Sequence, residues 1–202
     1  MSTKRVIIDS DYPLEGILNE KNNDSGVVIC HPHPLYGGSM HNNVVDAIEK
    51  GFSEKGLTTL RFNFRGVEGS GGAYEEGIGE TKDVMAAVAY LKDTLKQDAT
   101  IILAGYSFGA WVSSMASLKL EDIQTMFIVA YPFSFYDSTP LKQFKGKICF
   151  VGGKFDDIAP VEPLLRLYKD LPLVEKFIKI IDSDHFFIGK ESEIRQFIKE
   201  IF

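Results

Sequence analysis

The sequence predicts an α/β fold built on a doubly wound, mostly parallel sheet. From residue 27 onward, short apolar runs alternate with segments whose apolar residues recur at helical spacing. This alternation is typical of a parallel sheet covered by helices on both faces. Residues 4–20 are instead typical of one or two short antiparallel strands. The 202 residues contain no internal repeat and no low-complexity linker, so we expect a single domain over 1–202.

The predicted strands are short apolar runs, which suit strands buried on both faces. They cover residues 27–30, 57–64, 100–104, 125–130, 147–151 and 176–181. Amphipathic periodicity predicts helices at 41–55, 77–96, 108–118 and 160–169, and a last helix at the C-terminus. The segment 131–145 contains Pro132 and Pro140, which argue against a long helix, so no large cap domain is expected there.

The composition is ordinary for a soluble globular protein, with 45% hydrophobic and 25% charged residues. A net charge of −6 makes nucleic acid an unexpected partner. Asp9 and Asp11 interrupt the apolar core that a signal peptide would need, and no apolar run approaches the ~20 residues that span a bilayer. We therefore expect a cytoplasmic protein with a small-molecule substrate and no membrane partner. Cys30 and Cys149 lie in apolar runs and are expected to be buried free thiols.

A Gly-x-Ser-x-Gly motif, Gly105-Tyr106-Ser107-Phe108-Gly109, separates a predicted strand from a predicted helix. A strand that turns at once into a helix makes a tight bend, and the two glycines remove side chains that would collide there. The serine then stands exposed at the carboxyl end of the sheet, facing the positive end of the helix dipole. The motif indicates a nucleophilic Ser107; the alternative is that it is only a turn.

A serine nucleophile needs a base to take its proton and a carboxylate to orient that base. His185 follows the last predicted strand and is the candidate base; the alternative is an ordinary surface histidine. Asp156 and Asp157 follow the preceding strand, and only one of two adjacent side chains is expected to reach His185. Asp137 is a third candidate acid. The order serine, acid, histidine agrees with a triad of Ser107, Asp156 and His185.

An acyl-transfer site also needs two N–H donors for the oxyanion. One is expected from Phe108, directly after the nucleophile. The other is expected in the loop after Cys30, where Pro32 and Pro34 have no N–H. The remaining donors are His33, Leu35 and Tyr36. His31 and His33 could instead bind a metal, but no clear carboxylate partner is near them in the sequence, so we expect neither metal nor cofactor.

Five segments together resemble a known superfamily: residues 31–38, 61–66, 105–109, 153–160 and 184–187. They cover the chain from about residue 27 to 190 and are similar to the α/β-hydrolase superfamily, close to the short lidless serine hydrolases grouped with dienelactone-hydrolase-like proteins. The resemblance implies that Asp156 is the acid and that the backbone N–H of His33 is the second oxyanion donor. It also implies the α/β-hydrolase fold. Glu68 departs from the pattern, because relatives often carry glycine there.

Residues around these motifs are candidates for substrate contact. They are Leu35, Tyr36, Arg65 and Tyr106. Arg65 ends a strand and could bind a substrate carboxylate, or brace the following glycine-rich loop, which we favour. We expect a serine hydrolase that cleaves a carboxylic ester through an acyl-enzyme. A thioesterase, a peptidase and a non-catalytic scaffold remain alternatives.

Overall fold

The strands of the protein form an eight-stranded sheet in the computed structural model, which describes residues 2–172 and 175–202. In chain order they are β1 (Ser2–Ile8), β2 (Leu14–Glu20), β3 (Ser25–Cys30), β4 (Thr58–Phe62), β5 (Thr100–Tyr106), β6 (Ile123–Val129), β7 (Lys147–Gly153) and β8 (Lys176–Ile181). The spatial order is β1-β2-β4-β3-β5-β6-β7-β8. The pairs β1–β2 and β2–β4 are antiparallel and the rest are parallel. The predicted fold class is confirmed.

Helices cover both faces of this sheet. They are α1 (Asn43–Glu54), α2 (Ile78–Thr94), α3 (Phe108–Ser117), α4 (Thr139–Gln143), α5 (Val161–Asp170) and α6 (Glu191–Ile201). α1 and α6 pack on one face, and α2, α3 and α5 pack on the other. The apolar run of β3 is continuous because both faces of the strand are buried. Val27 and Ile29 pack on the side of α1 and α6, whereas Val28 and Cys30 pack on the side of α2, α3 and α5. Among the described residues, no helix combines the length and apolar character needed to cross a membrane.

The register of the parallel strands brings four loops to one edge of the sheet. Cys30 at the end of β3 pairs with Gly105 near the end of β5, and Gly153 at the end of β7 pairs with Ile181 at the end of β8. The loops that follow β3, β5, β7 and β8 therefore meet at the carboxyl edge, where ligands bind in open α/β sheets. All the predicted catalytic residues lie on these loops.

The segment between β6 and β7 stays small, as the prolines predict. Its only helix in the described part of the chain is α4, which has Pro140 in its first turn. No cap domain is built from the described residues, so the carboxyl edge of the sheet stays accessible. The two cysteines are buried and free, and burial raises the pKa of each thiol to about 12.

Candidate active site

The bend between β5 and α3 is strained at Ser107 and free of side chains on either side. Ser107 has φ 55° and ψ −119°, a sparsely populated conformation for a residue with a side chain. A Cβ on Gly105 would collide with the backbone of Gly109, and a Cβ on Gly109 would collide with the backbone of Cys30. The two glycines are thus required by close backbone approach, and α3 begins directly against the end of β3.

The structure brings Ser107, His185 and Asp156 together in one hydrogen-bonded chain. The Oγ of Ser107 lies 3.0 Å from Nε2 of His185, and Nδ1 of His185 lies 2.8 Å from Oδ2 of Asp156. All three side chains are largely buried. Because the carboxylate can only accept, Nδ1 carries the ring proton, and Nε2 is left to accept the proton of the serine hydroxyl. This arrangement can activate a serine nucleophile.

Local backbone contacts explain why Asp156, of the candidate acids, faces the histidine. Its Oδ1 accepts hydrogen bonds from the N–H groups of Ile158 (2.9 Å) and Ala159 (2.6 Å), which fixes the carboxylate and leaves Oδ2 for His185. Asp157 is exposed. Asp137 instead accepts from the N–H of Thr139 at 3.1 Å, in a turn before α4.

The loop that carries His185 is held at its backbone. The hydroxyl of Tyr106 donates to the carbonyl of His185 at 2.8 Å, and the two rings lie 5.3 Å apart. Asp184 accepts from the N–H of Phe186 (3.0 Å) and so shapes the loop from its other side. The neighbouring Asp182 pairs with Lys154 at 3.2 Å. These bonds set the histidine ring between the acid and the serine.

The three candidates for the second oxyanion donor differ in whether their backbone N–H already has an acceptor in the protein. The N–H of Leu35 donates to Nδ1 of the His33 ring (3.2 Å), and the N–H of Tyr36 donates to the carbonyl of His33 (3.1 Å). Within residues 2–172 and 175–202, the N–H groups of His33 and Phe108 have no protein acceptor. The N–H of Phe108 is free because it lies in the first turn of α3. Phe108, expected from its place after the nucleophile, and His33, implied by the resemblance, are therefore the candidate donors whose N–H groups are free to bind a ligand.

The His33 ring is itself fixed on several sides. Because Nδ1 accepts from Leu35, the ring proton lies on Nε2, which donates to the hydroxyl of Tyr74 (3.2 Å). The ring also packs against Tyr36 and Phe108, each with its centroid 4.8 Å away. Partial burial lowers the pKa of His33, which favours this neutral form. The imidazole therefore fixes the loop that carries the candidate oxyanion donor.

The first histidine of the loop, His31, hydrogen-bonds two backbone groups. His31 is fully buried; its Nδ1 donates to the carbonyl of Pro32 (2.6 Å) and its Nε2 accepts from the N–H of Phe64 (3.0 Å). Burial lowers the pKa of His31 to about 4, so the ring is neutral at pH 7. Both ring nitrogens of His31 and of His33 are thus engaged by protein groups, an arrangement that leaves neither ring a lone pair for a metal ion.

A cavity of about 600 Å³ opens directly over the serine. Its lining is mostly aromatic and apolar, and its residues come from the loops after β3, β5, β6, β7 and β8. They are Pro32, His33, Tyr36, Gly37, Gly38, Asn42, Tyr106, Ser107, Phe108, Pro132, Phe135, Tyr136, Ile158, His185 and Phe186. The volume lies in the range of pockets that bind small molecules. Ser107 and His185 therefore lie at the bottom of an apolar cavity that is open to solvent.

A family model described as an alpha/beta hydrolase domain matches residues 26–198. The chain belongs to the alpha/beta-hydrolase family. An uncharacterized protein of Rickettsia prowazekii is 32% identical over 186 residues, which are 86% of this chain and 76% of that protein. The resemblance inferred from the motifs is confirmed at the level of the superfamily.

Solved structures agree with this assignment. A structure of an alpha-beta serine hydrolase homologue from Coxiella burnetii superposes with a TM-score of 0.90 at 31% identity, covering 99% of this chain and 97% of that one. A Xanthomonas campestris protein described as a serine hydrolase without a lid superposes with a TM-score of 0.89 at 28% identity, covering 99% and 93%. The family and these neighbours support a hydrolase.

The candidate substrate contacts fall in three different environments in this alpha/beta hydrolase. Tyr36 and Tyr106 line the cavity, although the hydroxyl of Tyr106 is occupied by the His185 carbonyl. The side chain of Leu35 is exposed and lies outside the cavity lining. Arg65 also lies outside the lining and is 1% exposed; Asp83 and Glu75 bind its guanidinium. The position of Arg65 disagrees with a substrate contact and agrees with a brace.

Glu68, the departure from the family pattern, also lies outside the cavity lining. Its Oε2 accepts from the side-chain amide of Asn63 (2.8 Å) and lies 3.6 Å from Nε2 of His41. The carboxylate of Glu68 therefore contacts Asn63 and His41, from the loops after β4 and β3, and does not face the cavity.

Several cavity residues were not predicted from the sequence. Tyr136 stacks on Trp111 at 4.0 Å, and Phe135 and Phe186 are exposed beside the cavity mouth. Tyr74, which binds the His33 ring, was also missed. An aromatic residue in a loop gives no periodic signal, and only its tertiary neighbours distinguish a pocket wall from a core side chain.

Proposed function

We propose that this protein is a serine hydrolase that cleaves carboxylic esters through an acyl-enzyme on Ser107. The single observation that carries the proposal is the hydrogen-bonded chain from Asp156 through His185 to Ser107, ending at the floor of an open cavity. The relatives named as serine hydrolases, at 31% and 28% identity, support the same assignment. The proposed substrate is a small molecule with an accessible acyl bond.

In the acylation step, Oγ of Ser107 attacks the substrate carbonyl carbon while Nε2 of His185 takes the hydroxyl proton. Asp156 keeps the ring in the required tautomer and stabilises the imidazolium. The N–H groups of Phe108 and His33 stabilise the oxyanion of the tetrahedral intermediate. Collapse of that intermediate expels the alcohol, which receives the proton from Nε2.

In the deacylation step, water attacks the acyl carbonyl and gives its proton to Nε2 of His185. The same two N–H donors stabilise the second oxyanion. Collapse returns the proton to Oγ of Ser107 and releases the acid. All the residues used in these steps lie at the carboxyl edge of the sheet, in its loops or in the first turn of α3.

The openness of the cavity supports small or exposed esters over large substrates that must be enclosed. Thioesters and short peptides use the same acyl chemistry and are the alternatives within this class. A binding scaffold without turnover is the alternative from another class. The complete set of serine, base, acid and two free N–H donors favours the enzyme.

Labelling with a fluorophosphonate tests the proposal, because the probe reacts with activated serines. We expect intact-mass spectrometry to find one adduct on the wild-type protein, mapped to Ser107, and none on Ser107→Ala. Ser134→Ala is the matched control, since Ser134 is an exposed serine on the neighbouring loop after β6, and it should label like the wild type. An unlabelled, folded wild-type protein contradicts the hydrolase and favours the scaffold.

A further inference from the structure

The cavity over Ser107 has an uncharged lining. Within the described part of the chain, none of its fifteen lining residues is Asp, Glu, Lys or Arg. Its titratable members are three tyrosines, the catalytic His185 and the occupied ring of His33. A substrate carboxylate placed here would lose its hydration without gaining a cationic partner, which is costly.

Arg65, the cation that the sequence suggested as a substrate contact, does not line the cavity. The guanidinium of Arg65 lies 2.7 Å from Asp83 and 2.9 Å from Glu75. A bidentate site for a substrate carboxylate needs a free arginine fork, and this fork is already filled. Arg65 therefore adds no anion-binding capacity to the cavity.

The surroundings of the cavity also disfavour an anion. Asp157 and Asp184 are exposed and adjoin the lining residues Ile158 and His185 in the chain. Lys154, on the same loop as Asp157, is paired with Asp182 at 3.2 Å. The protein as a whole carries a net charge of −6. Electrostatic repulsion therefore adds to the desolvation cost for a negatively charged substrate.

Apolar surface continues outward from the cavity. Tyr36, Phe135 and Phe186 are 86%, 69% and 53% exposed, although each also lines the cavity. A bound apolar chain would cover these rings and remove both surfaces from water, which is favourable. The apolar surface thus extends from the reacting serine to the mouth.

We propose that the site accepts esters whose acid and alcohol parts are both uncharged and apolar, and that it discriminates against esters with a carboxylate in the acyl chain. This inference rests on the proposed function, because it concerns the substrate of the same serine. It differs from the carboxylate contact considered for Arg65 from the sequence alone.

Three p-nitrophenyl esters of matched length test the inference. They are the hexanoate, the adipate monoester with a free terminal carboxylate, and the adipate monoester whose terminal carboxyl is a methyl ester. We expect kcat/KM for the hexanoate to exceed that for the free acid by at least about tenfold, because the buried carboxylate has no partner. The methyl ester restores neutrality at similar length and should recover most of the loss.

A charge introduced at the mouth should reverse part of the preference. In Phe135→Lys, a cation replaces an exposed ring of the lining, and we expect the hexanoate-to-free-acid ratio of kcat/KM to fall by about fivefold at low salt. Leu118→Lys is the matched control. It makes the same charge change at an exposed position after α3, at the opposite edge of the sheet, and should leave the ratio unchanged.

The outcomes separate this inference from the proposed function. Equal kcat/KM for the hexanoate and the free acid, with a normal fluorophosphonate adduct, overturns the substrate class while the serine hydrolase stands. An equal change of the ratio in Phe135→Lys and Leu118→Lys would assign the preference to net charge and also overturn the role of the cavity. Absence of both turnover and adduct overturns the hydrolase and the inference together.

Discussion

Two buried carboxylates near the carboxyl edge of the sheet hold nitrogen partners in very different ways. Asp83 binds Arg65 through the backbone N–H (3.0 Å) and through Nε and a terminal nitrogen of the guanidinium. Glu75 binds the other terminal nitrogen. Asp156 binds His185 at one ring nitrogen only, and the second ring nitrogen faces Ser107 in the cavity.

The difference separates a pair that can take part in the proposed reaction from a pair that is structural. Both pairs are buried, and in both a carboxylate accepts hydrogen bonds from a nitrogen-containing side chain. The Arg65 pair is saturated by protein partners, whereas the His185 pair leaves one acceptor at the wall of a cavity. We therefore expect changes in the first pair to alter stability and changes in the second to alter turnover.

The sharpest test of this division is Asp156→Asn. The amide keeps the shape of the acid but favours the wrong histidine tautomer, so we expect kcat to fall on the order of 10⁴-fold. Activity on p-nitrophenyl hexanoate, measured beside urea unfolding, checks the expectation. Asp157→Asn is the matched control, because it removes the adjacent, exposed carboxylate and should leave kcat near the wild-type value. An equal loss in both variants would show that Asp156 has no special role.

The converse test removes Arg65. In Arg65→Ala, the buried Asp83 keeps the backbone N–H but loses its cationic partner, and we expect the free energy of unfolding to fall by about 3–5 kcal/mol. Urea unfolding measures the loss, and kcat per folded molecule should change far less than in Asp156→Asn. A variant of unchanged stability and greatly reduced turnover would place Arg65 in the reaction and break the comparison.

His31 extends the comparison to a histidine that is saturated like Arg65. Its pKa in the folded protein is lowered to about 4 from 6.5, so the unfolded chain binds a proton that the folded protein does not. The free energy of unfolding therefore decreases as the pH falls from about 6.5 toward 4, by about 2 kcal/mol between pH 7 and pH 4.5.

Urea unfolding at the two pH values should show this component in the wild type and lose it in His31→Gln, with other titrating groups common to both proteins. Because His31 lies outside the proposed reaction, the pH profile of kcat/KM above pH 5 should keep its form in the variant. An identical pH dependence of stability in the two proteins would contradict the buried neutral histidine.

The features of this site that follow from local sequence patterns and from the order of segments along the chain could be predicted from the sequence. The alternation of strands and helices, the two glycines around Ser107 and the order of the three loops were enough to place the triad residues at one edge. The residues alone left Asp156, Asp157 and Asp137 open as the acid, and only the resemblance implied Asp156. The physical reason depends on coordinates, because the N–H groups of Ile158 and Ala159 orient the Asp156 carboxylate. The partners of Arg65 and the exposed rings at the cavity mouth depend on packing between distant segments, which no local pattern encodes.

Tyr74 lies between the two classes and gives the smallest effect. Its hydroxyl binds Nε2 of His33, whose backbone N–H is the proposed second oxyanion donor, so Tyr74 can influence the proposed reaction through this hydrogen bond and the His33 ring. Tyr74→Phe removes that bond, which is worth about 0.5–1.5 kcal/mol, and we expect kcat to fall by about 3–10-fold with KM nearly unchanged. If Tyr74 had a structural role alone, Tyr74→Phe would lower the free energy of unfolding, and kcat of the folded variant would not fall selectively relative to KM. Tyr90→Phe is the control, because Tyr90 is also half-buried but lies on α2, and this variant should leave both constants unchanged. Equal kcat in Tyr74→Phe and the wild type would place the His33 ring with the saturated, purely structural groups.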